Sequence, residues 1–183
     1  ESNTTGDRNT AIGRSALISN TTASNNTAVG QNALYATTTG GQNVAVGMGA
    51  METNTTAENN TAVGYKALYS NTTGDRMVAL GEYALYSKTT ADGNSAIGYR
   101  SLYYNTTGAN NTAIGFEALF NNTTGNYNVA VGLNALHQNT TGYDNTALGY
   151  LALDANTTAT YNVAVGKDAG TAVTSGGYST MIG

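Results

Sequence analysis

The stretch ENNTAVGYKALYSNTTGDR, residues 58–76, decides the fold because close copies of it fill almost the whole chain. Starting at Asn3, the chain divides into ten consecutive units of 17 residues that end at Ala172, with no insertion or deletion, and eleven residues of another unit follow. A typical unit reads NTTGxxNTAVGxxALYS, and we number its positions 1 to 17. Such fixed spacing indicates that every unit occupies the same amount of space, as in a solenoid.

Several unit positions hardly vary. Position 9 is alanine and position 11 is glycine in all ten units, whereas position 10 is always Ile, Val or Leu. Position 15 is leucine except at Met51 and Gly170. Position 4 holds glycine or alanine, which predicts a need for a small residue rather than for positive φ. The invariant glycine at position 11 predicts either φ > 0 or a backbone contact too close for a Cβ.

The pattern predicts an all-β fold, a parallel β-solenoid with one unit per coil. Positions 7–11 alternate with period two and predict one short strand, and the ALYS segment predicts the start of a second extended piece. The Asn, Thr and Gly residues of NTTGxx predict the return bend. Coils stacked at about 4.8 Å give ten units a length of roughly 48 Å. We treat residues 1–183 as a single repeat domain.

The composition excludes several classes of function. Net charge is −4 with only seven Lys and Arg, so the chain lacks the basic surface that nucleic acid requires. No apolar run approaches 18 residues, and no membrane contact is predicted. There is no cysteine, and no column supplies an acid, base or nucleophile at a unique position. We therefore predict no enzyme activity, no metal and no cofactor.

Assembly is predicted from the small side chains of the repeat. The all-alanine and all-glycine columns suggest the close approach of another chain, so we expect a homo-oligomer wound round a common axis. Glu1 and Ser2 fill the last two positions of an incomplete unit, and Gly183 stops at position 11 of another. We therefore expect a fragment of a longer fibre, with flanking modules elsewhere and with end-to-end filaments as one form of self-association.

The motif N-x-A-[VI]-G-x-x-A occurs as NVAVG at 43–47 with Ala50, as NSAIG at 94–98, and as NVAVG at 128–132 with Ala135. It resembles the head repeats of trimeric autotransporter adhesins, the YadA-like head, and covers essentially all 183 residues. The repeats are also similar to those of phage tail fibres and tail-fibre-like surface proteins. The resemblance implies a homotrimer of left-handed parallel β-rolls, outside the cell or on a virion.

Aromatic side chains recur in two columns and are the candidate ligand contacts. Position 16 provides a possible ligand-contact or packing ladder, and position 12 a second aromatic set. Exposed tyrosines can contact sugars or a receptor, but such stripes also pack between coils or subunits. The ladder comprises Tyr35, Tyr69, Tyr86, Tyr103 and Phe120, and the position-12 set comprises Tyr65, Tyr99, Phe116 and Tyr150.

For three other features, we prefer a structural interpretation to a functional one. His137 is the only histidine and shares the column of Phe120, so we interpret it as a surface variant rather than a catalytic or metal-binding residue. Asn-Thr-Thr triplets such as 54–56 match glycosylation acceptors, but turn formation explains them first. Adjacent threonines should point to opposite faces, which leaves one outward row where an ice-binding array needs two.

The leading hypothesis is a structural shaft or head segment of an extracellular trimeric fibre, either a bacterial surface adhesin or filament or a phage tail fibre. It would mediate projection and attachment, with other copies of the chain as its first partners and a host surface glycan or protein as a further one. The alternative is a glycan- or receptor-binding module that uses the tyrosine ladder. A third hypothesis is an ice-binding solenoid.

Overall fold

The computed structural model describes residues 2–87 and 89–183, and this part of the chain contains eleven short strands and no helix. Glu1, assigned above to an incomplete unit, lies outside the described residues. Each strand comprises positions 8–10 of its unit. The strands are β1 Thr10–Ile12, β2 Thr27–Val29, β3 Val44–Val46, β4 Thr61–Val63, β5 Val78–Leu80, β6 Ser95–Ile97, β7 Thr112–Ile114, β8 Val129–Val131, β9 Thr146–Leu148, β10 Val163–Val165 and β11 Thr180–Ile182.

All eleven strands form one parallel sheet in the order of the sequence, from β1 at one edge to β11 at the other. Each strand pairs with the next at an offset of one unit, so that Ala62 lies opposite Ala79 and Val63 opposite Leu80. Equivalent residues therefore lie in adjacent layers, one unit to a coil. The predicted parallel β-solenoid of 17-residue coils is confirmed.

The core lies between the sheet and the opposite side of each coil. The alanine at the centre of every strand from β2 to β10 is fully buried, because side chains alternate across a strand and position 9 points inward. It is covered by the alanine and leucine of positions 14 and 15, represented by Ala118 and Leu119. In the strands from β2 to β10, position 9 is thus a site where a larger side chain would collide with the opposite wall.

The alanine column is buried inside the coil and does not face another chain, which corrects part of the basis on which assembly was predicted. Ala113 and its equivalents are buried inside their own coil, and Gly81 lies directly against Gly98 of the next coil. These small residues let the two walls of one coil, and successive coils, approach closely. A surface for assembly must therefore be found elsewhere.

The expected second strand in the ALYS segment is wrong. Positions 13 and 15 both have left-handed backbone conformations, as at Glu117 (φ 50°) and Leu119 (φ 51°), and the segment forms turns. An extended strand needs negative φ at every residue, so two left-handed residues separated by one position fold the chain back instead. Burial of the leucine side chain offsets the roughly 1–2 kcal/mol that a left-handed residue costs.

The invariant glycine at position 11 meets both conditions predicted for it. Gly81 has φ +136°, and a Cβ at this residue would lie 2.6 Å from the carbonyl oxygen of Gly98. Position 4 differs, because Gly74 and Gly108 have no positive φ while a Cβ would meet the coil above. The prediction of a small residue without positive φ at position 4 is therefore confirmed.

A buried asparagine column at position 7 hydrogen-bonds one coil to the next. The side-chain oxygen of Asn111 accepts the backbone N–H of Asn128 at 3.0 Å, and its amide nitrogen donates to the carbonyl of Gly125 at 2.8 Å. We call this column the inner asparagine ladder. Met77 is the one exception among the ten units. Elsewhere the ladder satisfies buried backbone groups of the bend, which explains a polar residue at a buried position.

A second column, the outer asparagine ladder, is formed by the asparagines of position 1. Asn71 closes its own bend, since its amide donates to the carbonyl of Gly74 at 2.9 Å and its oxygen accepts the N–H of Gly74 at 3.0 Å. Asn122 and Asn139 also bond each other across coils at 2.8 Å. These asparagines are fully buried, so turn formation is confirmed as the role of the NTT triplets.

Thr37 interrupts the outer asparagine ladder, and its replacement by asparagine is expected to stabilise the protein. The buried Asn20 Oδ1 has no hydrogen-bond partner, and Asn54 donates only weakly to Thr37 Oγ1 at 3.3 Å. An asparagine would donate to Asn20 as Asn122 donates to Asn105 at 2.8 Å. Thr37→Asn should raise the free energy of unfolding by about 1 kcal/mol in denaturant titrations.

The control for this substitution is Thr39→Asn, at an exposed bend position two residues away. It should leave stability within about 0.5 kcal/mol of wild type, because no buried acceptor gains a partner there. If both substitutions changed the free energy of unfolding equally, the stabilisation would not come from the outer asparagine ladder.

Candidate functional site: the aromatic ladder and the outer sheet face

Five rings of the position-16 column stack along the solenoid axis. Each follows the left-handed residue of position 15, whose side chain enters the core, so the next side chain emerges at the surface. Neighbouring centroids are 5.1–5.4 Å apart and neighbouring planes within 24° of parallel. We call this set the aromatic ladder, comprising Tyr69, Tyr86, Tyr103, Phe120 and His137.

Four of the five predicted ladder residues are thus brought together, and Tyr35 is not. Glu52 occupies position 16 of the coil between Tyr35 and Tyr69, so Tyr35 stands apart and is exposed. His137, interpreted from the sequence as a surface variant, lies parallel to Phe120 at 5.2 Å. Its Nε2 is also 3.4 Å from Glu117 Oε2. The histidine therefore extends the stack by one ring and adds a polar end to it.

Rings from neighbouring columns widen the ladder. Tyr83 from position 13 packs edge-on against Tyr86 at 5.3 Å, and Tyr104 from position 17 packs edge-on against Tyr103 at 4.7 Å. Of the position-12 set, Tyr99 and Phe116 stack on each other at 5.2 Å. Burial, reinforced by Tyr86 and Tyr104, raises the pKa of the Tyr103 phenol above its ordinary value.

Two cations lie over these rings. The Lys66 ammonium is 5.4 Å from the centroid of Tyr65 and 5.1 Å from that of Tyr69. The Arg100 guanidinium lies 4.9 Å from the centroid of Tyr99, within the range of a cation–π contact. Arg100 also lies 3.8 Å from Glu117. The cluster thus combines aromatic edges, two cations and one carboxylate on a single face.

Sequence reasoning missed the residues that surround the ladder. Lys66, Tyr83, Arg100 and Glu117 occupy position 13, and Tyr104 occupies position 17, which no repeat-based argument connects with position 16. The sequence contained one signal for these residues. Positions 13 and 17 change to aromatic or charged residues in the same coils that carry the ladder. It indicates which coils to inspect but not that the side chains meet.

The ladder geometry restricts how a ligand could use it. The faces of the inner rings are covered by the rings above and below, so a ligand would meet ring edges and hydroxyl groups. Packing of rings against each other is therefore the role for which the structure gives direct contacts. Ligand contact at the ladder stays a hypothesis.

The outer sheet face is the second candidate site. It comprises the side chains of positions 8 and 10, which flank the central residue of each strand and point away from the core. Both columns contain only Thr, Ser, Val, Ile and Leu over all eleven strands, and Ile97 and Ile114 are each 37% exposed. The chain thus presents an uncharged, largely aliphatic stripe about 48 Å long.

The threonine pairs of positions 2 and 3 provide one outward row. The threonines of position 3 are exposed in all ten units, as at Thr124. Those of position 2 are turned to the backbone, since Thr123 Oγ1 donates to the carbonyl of Thr140 at 3.0 Å. An ice-binding face would need a second free row, so ice binding gains no support from this geometry.

These features define the class of protein as a parallel β-solenoid built from 17-residue coils. In comparisons with known proteins, no family model, no curated protein and no solved structure matches the chain. Among the described residues, no His, Asp and Glu side chains come together as a group of three able to hold a metal ion. The described residues also include no helix long and apolar enough to cross a membrane.

Proposed function

We propose that this chain is a structural shaft or head segment of an extracellular trimeric fibre, a bacterial surface adhesin or filament or a phage tail fibre. The observation that carries the proposal is the outer sheet face. Exposed apolar patches larger than a few hundred Å² mark interaction sites, and this stripe runs the length of the solenoid without a charge. A symmetric homotrimer would bury the same stripe of every subunit around one axis.

The regular coil suits such a role mechanically. Successive layers hydrogen-bond to each other through the strands and, in most coils, through the two asparagine ladders. Residues 2–87 and 89–183 therefore include no long unsupported loop for a protease to enter. The resemblance to YadA-like head repeats supports the same proposal and adds a left-handed coil. Projection of an attachment surface, with a host glycan or protein as its ligand, follows from that role.

Charges on the outer sheet face should dissociate the trimer. The double variant Ile97→Lys, Ile114→Lys adds two ammonium groups that assembly would have to desolvate without partners, at a cost of several kcal/mol in total. We expect wild type to elute as a trimer in size-exclusion chromatography with light scattering. The double variant should elute as a monomer that retains the circular dichroism spectrum of the wild type.

The matched control is Thr107→Lys, Thr124→Lys, which places the same charges on the exposed bend of two neighbouring coils. This variant should remain trimeric because the bend faces solvent. A monomeric wild type would contradict the trimer itself. Dissociation by the bend variant but not by the sheet variant would place the interface on the bend instead.

The second candidate function is a glycan- or receptor-binding module centred on the aromatic ladder. The observation that favours it is the placement of Lys66 and Arg100 over half-exposed rings, where polar groups and aromatic edges are available together. Tyrosine and arginine are enriched at energetically important contacts of interfaces. Both roles are compatible in one fibre, because the ladder and the outer sheet face belong to different columns.

A further inference from the structure

Three tyrosines of successive coils lie parallel to one another within the aromatic ladder. The centroids of Tyr69 and Tyr86 are 5.3 Å apart and those of Tyr86 and Tyr103 are 5.1 Å apart, with an interplanar angle of 13° in both pairs. All three side chains are half-exposed, so their edges are accessible to oxidation from solvent. The chain has no cysteine with which to link its coils covalently.

We propose that Tyr69, Tyr86 and Tyr103 form an oxidative coupling site, at which one-electron oxidation joins adjacent coils through dityrosine. The co-reactant is hydrogen peroxide activated by a haem peroxidase. Two phenols each give up one electron and one proton, and the peroxide takes up both pairs to become two waters. The two phenoxyl radicals form a carbon–carbon bond between ring positions ortho to the hydroxyl groups. Each coupled carbon then passes its hydrogen to the phenol oxygen, which restores both aromatic rings.

The register of the solenoid makes this coupling intramolecular and specific. The fold holds the two phenols in adjacent layers, so each phenoxyl radical has a second phenol beside it without diffusion of another chain. Because equivalent atoms in adjacent layers are separated by about one strand spacing, the ortho carbons need only a tilt of two half-exposed side chains to meet. Tyr35 has no ring in the adjacent coils of its column, which hold Ile18 and Glu52. Coupling between tyrosines of one chain does not require the chain to assemble.

Tryptic fragments can identify the coupled residues. Cleavage after Lys and Arg places Tyr69 in fragment 67–76, Tyr86 in fragment 77–88 and Tyr103 in fragment 101–167. Dilute full-length protein would be treated with peroxide and peroxidase, quenched, unfolded and digested, and the fragments analysed by tandem mass spectrometry. We expect 67–76 joined to 77–88, and 77–88 joined to 101–167 at Tyr103. Each joined pair should be lighter by two hydrogens than the sum of its parts.

Two variants separate the proposal from general surface oxidation. Tyr86→Phe keeps a ring in the stack but removes a phenol, so both joined pairs should be lost while the circular dichroism spectrum is unchanged. Tyr35→Phe should leave both pairs at the wild-type yield. Persistence of the pairs in Tyr86→Phe would assign coupling to Tyr83, which shares fragment 77–88, and would overturn the proposal. Coupling confined to the exposed Tyr127, Tyr143 or Tyr161, or to identical fragments of two copies, would overturn it as well.

Discussion

Replacement of Gly81 by alanine is expected to lower the free energy of unfolding by about 4 kcal/mol, since a strained backbone and an overfilled contact each cost about 1–3 kcal/mol. The residue has φ +136°, where side chains are rarely found, and the added Cβ would lie 2.6 Å from the carbonyl oxygen of Gly98. That oxygen belongs to the backbone of the next coil and cannot move alone. Guanidinium titration followed by circular dichroism would measure the change.

The control for this substitution is Gly93→Asn, which also lies at positive φ but at position 6 of its unit. A Cβ there would lie 2.6 Å from Asn110 Oδ1, a side-chain atom that can rotate away, unlike the backbone oxygen that faces Gly81. That column accepts side chains in the adjacent coils, Arg76 with φ 57° and Asn110 with φ 57°. Asparagine tolerates the left-handed region, so stability should change by no more than about 1 kcal/mol. Equal losses in the two variants would mean that positive φ alone, and not the contact with the next coil, fixes glycine at position 11.

Replacement of Asn111 by alanine should destabilise the protein by about 2–4 kcal/mol, because it removes hydrogen bonds within the buried inner ladder. The backbone N–H of Asn128 would lose its acceptor at 3.0 Å, and the carbonyl of Gly125 would lose a donor at 2.8 Å. Water cannot replace them, since Asn111 and Asn128 are fully buried. Thermal and denaturant unfolding of the variant would both be shifted to milder conditions.

Asn121→Ala is the matched control, because its amide donates only to Gln138 Oε1 near the surface, at 3.1 Å. Water can take over that bond, so the stability should change by less than about 0.5 kcal/mol. A small effect of Asn111→Ala as well would contradict a stabilising role for the hydrogen bonds of the inner ladder.

The period of the sequence predicted most of the fold because stacking requires equal units. The pairing of Ala62 with Ala79, the parallel sheet and the role of the position-11 glycine all follow from columns that hardly vary. A column states which residues share an environment. It does not state which environment that is, so a column of alanines is as compatible with a contact between chains as with the core.

The second strand was wrong because the conformation of a residue in the coil runs against its intrinsic preference. Leucine seldom adopts a left-handed backbone, yet Leu119 and its equivalents do so in order to bury the side chain. Two glycines gave the available signal, since Gly49 at position 13 and Gly170 at position 15 occupy those left-handed columns. If these two glycines are given more weight than the common leucine, the sequence predicts a turn in the ALYS segment.

The sequence predicted only part of the candidate sites, because a column shows which residues are equivalent but not which columns meet. Position 16 identified the ladder, and the sequence already showed Glu52 between Tyr35 and Tyr69. The contacts of Arg100 and Tyr83 with ladder rings depend on how two turns place neighbouring columns round a corner of the coil. The outer sheet face required knowledge of which strand side points inward, which the alternation of Thr, Ala and Val leaves undecided.

The exact offset of one unit between paired strands has a consequence for inheritance. Because each layer has the same strand register as the next, the loss or gain of 17 codons joins two compatible layers and preserves the pairing of the strands. Recombination between near-identical copies in the gene can therefore lengthen or shorten the rod in whole steps. The length of the solenoid can thus change by whole coils without a new core having to evolve.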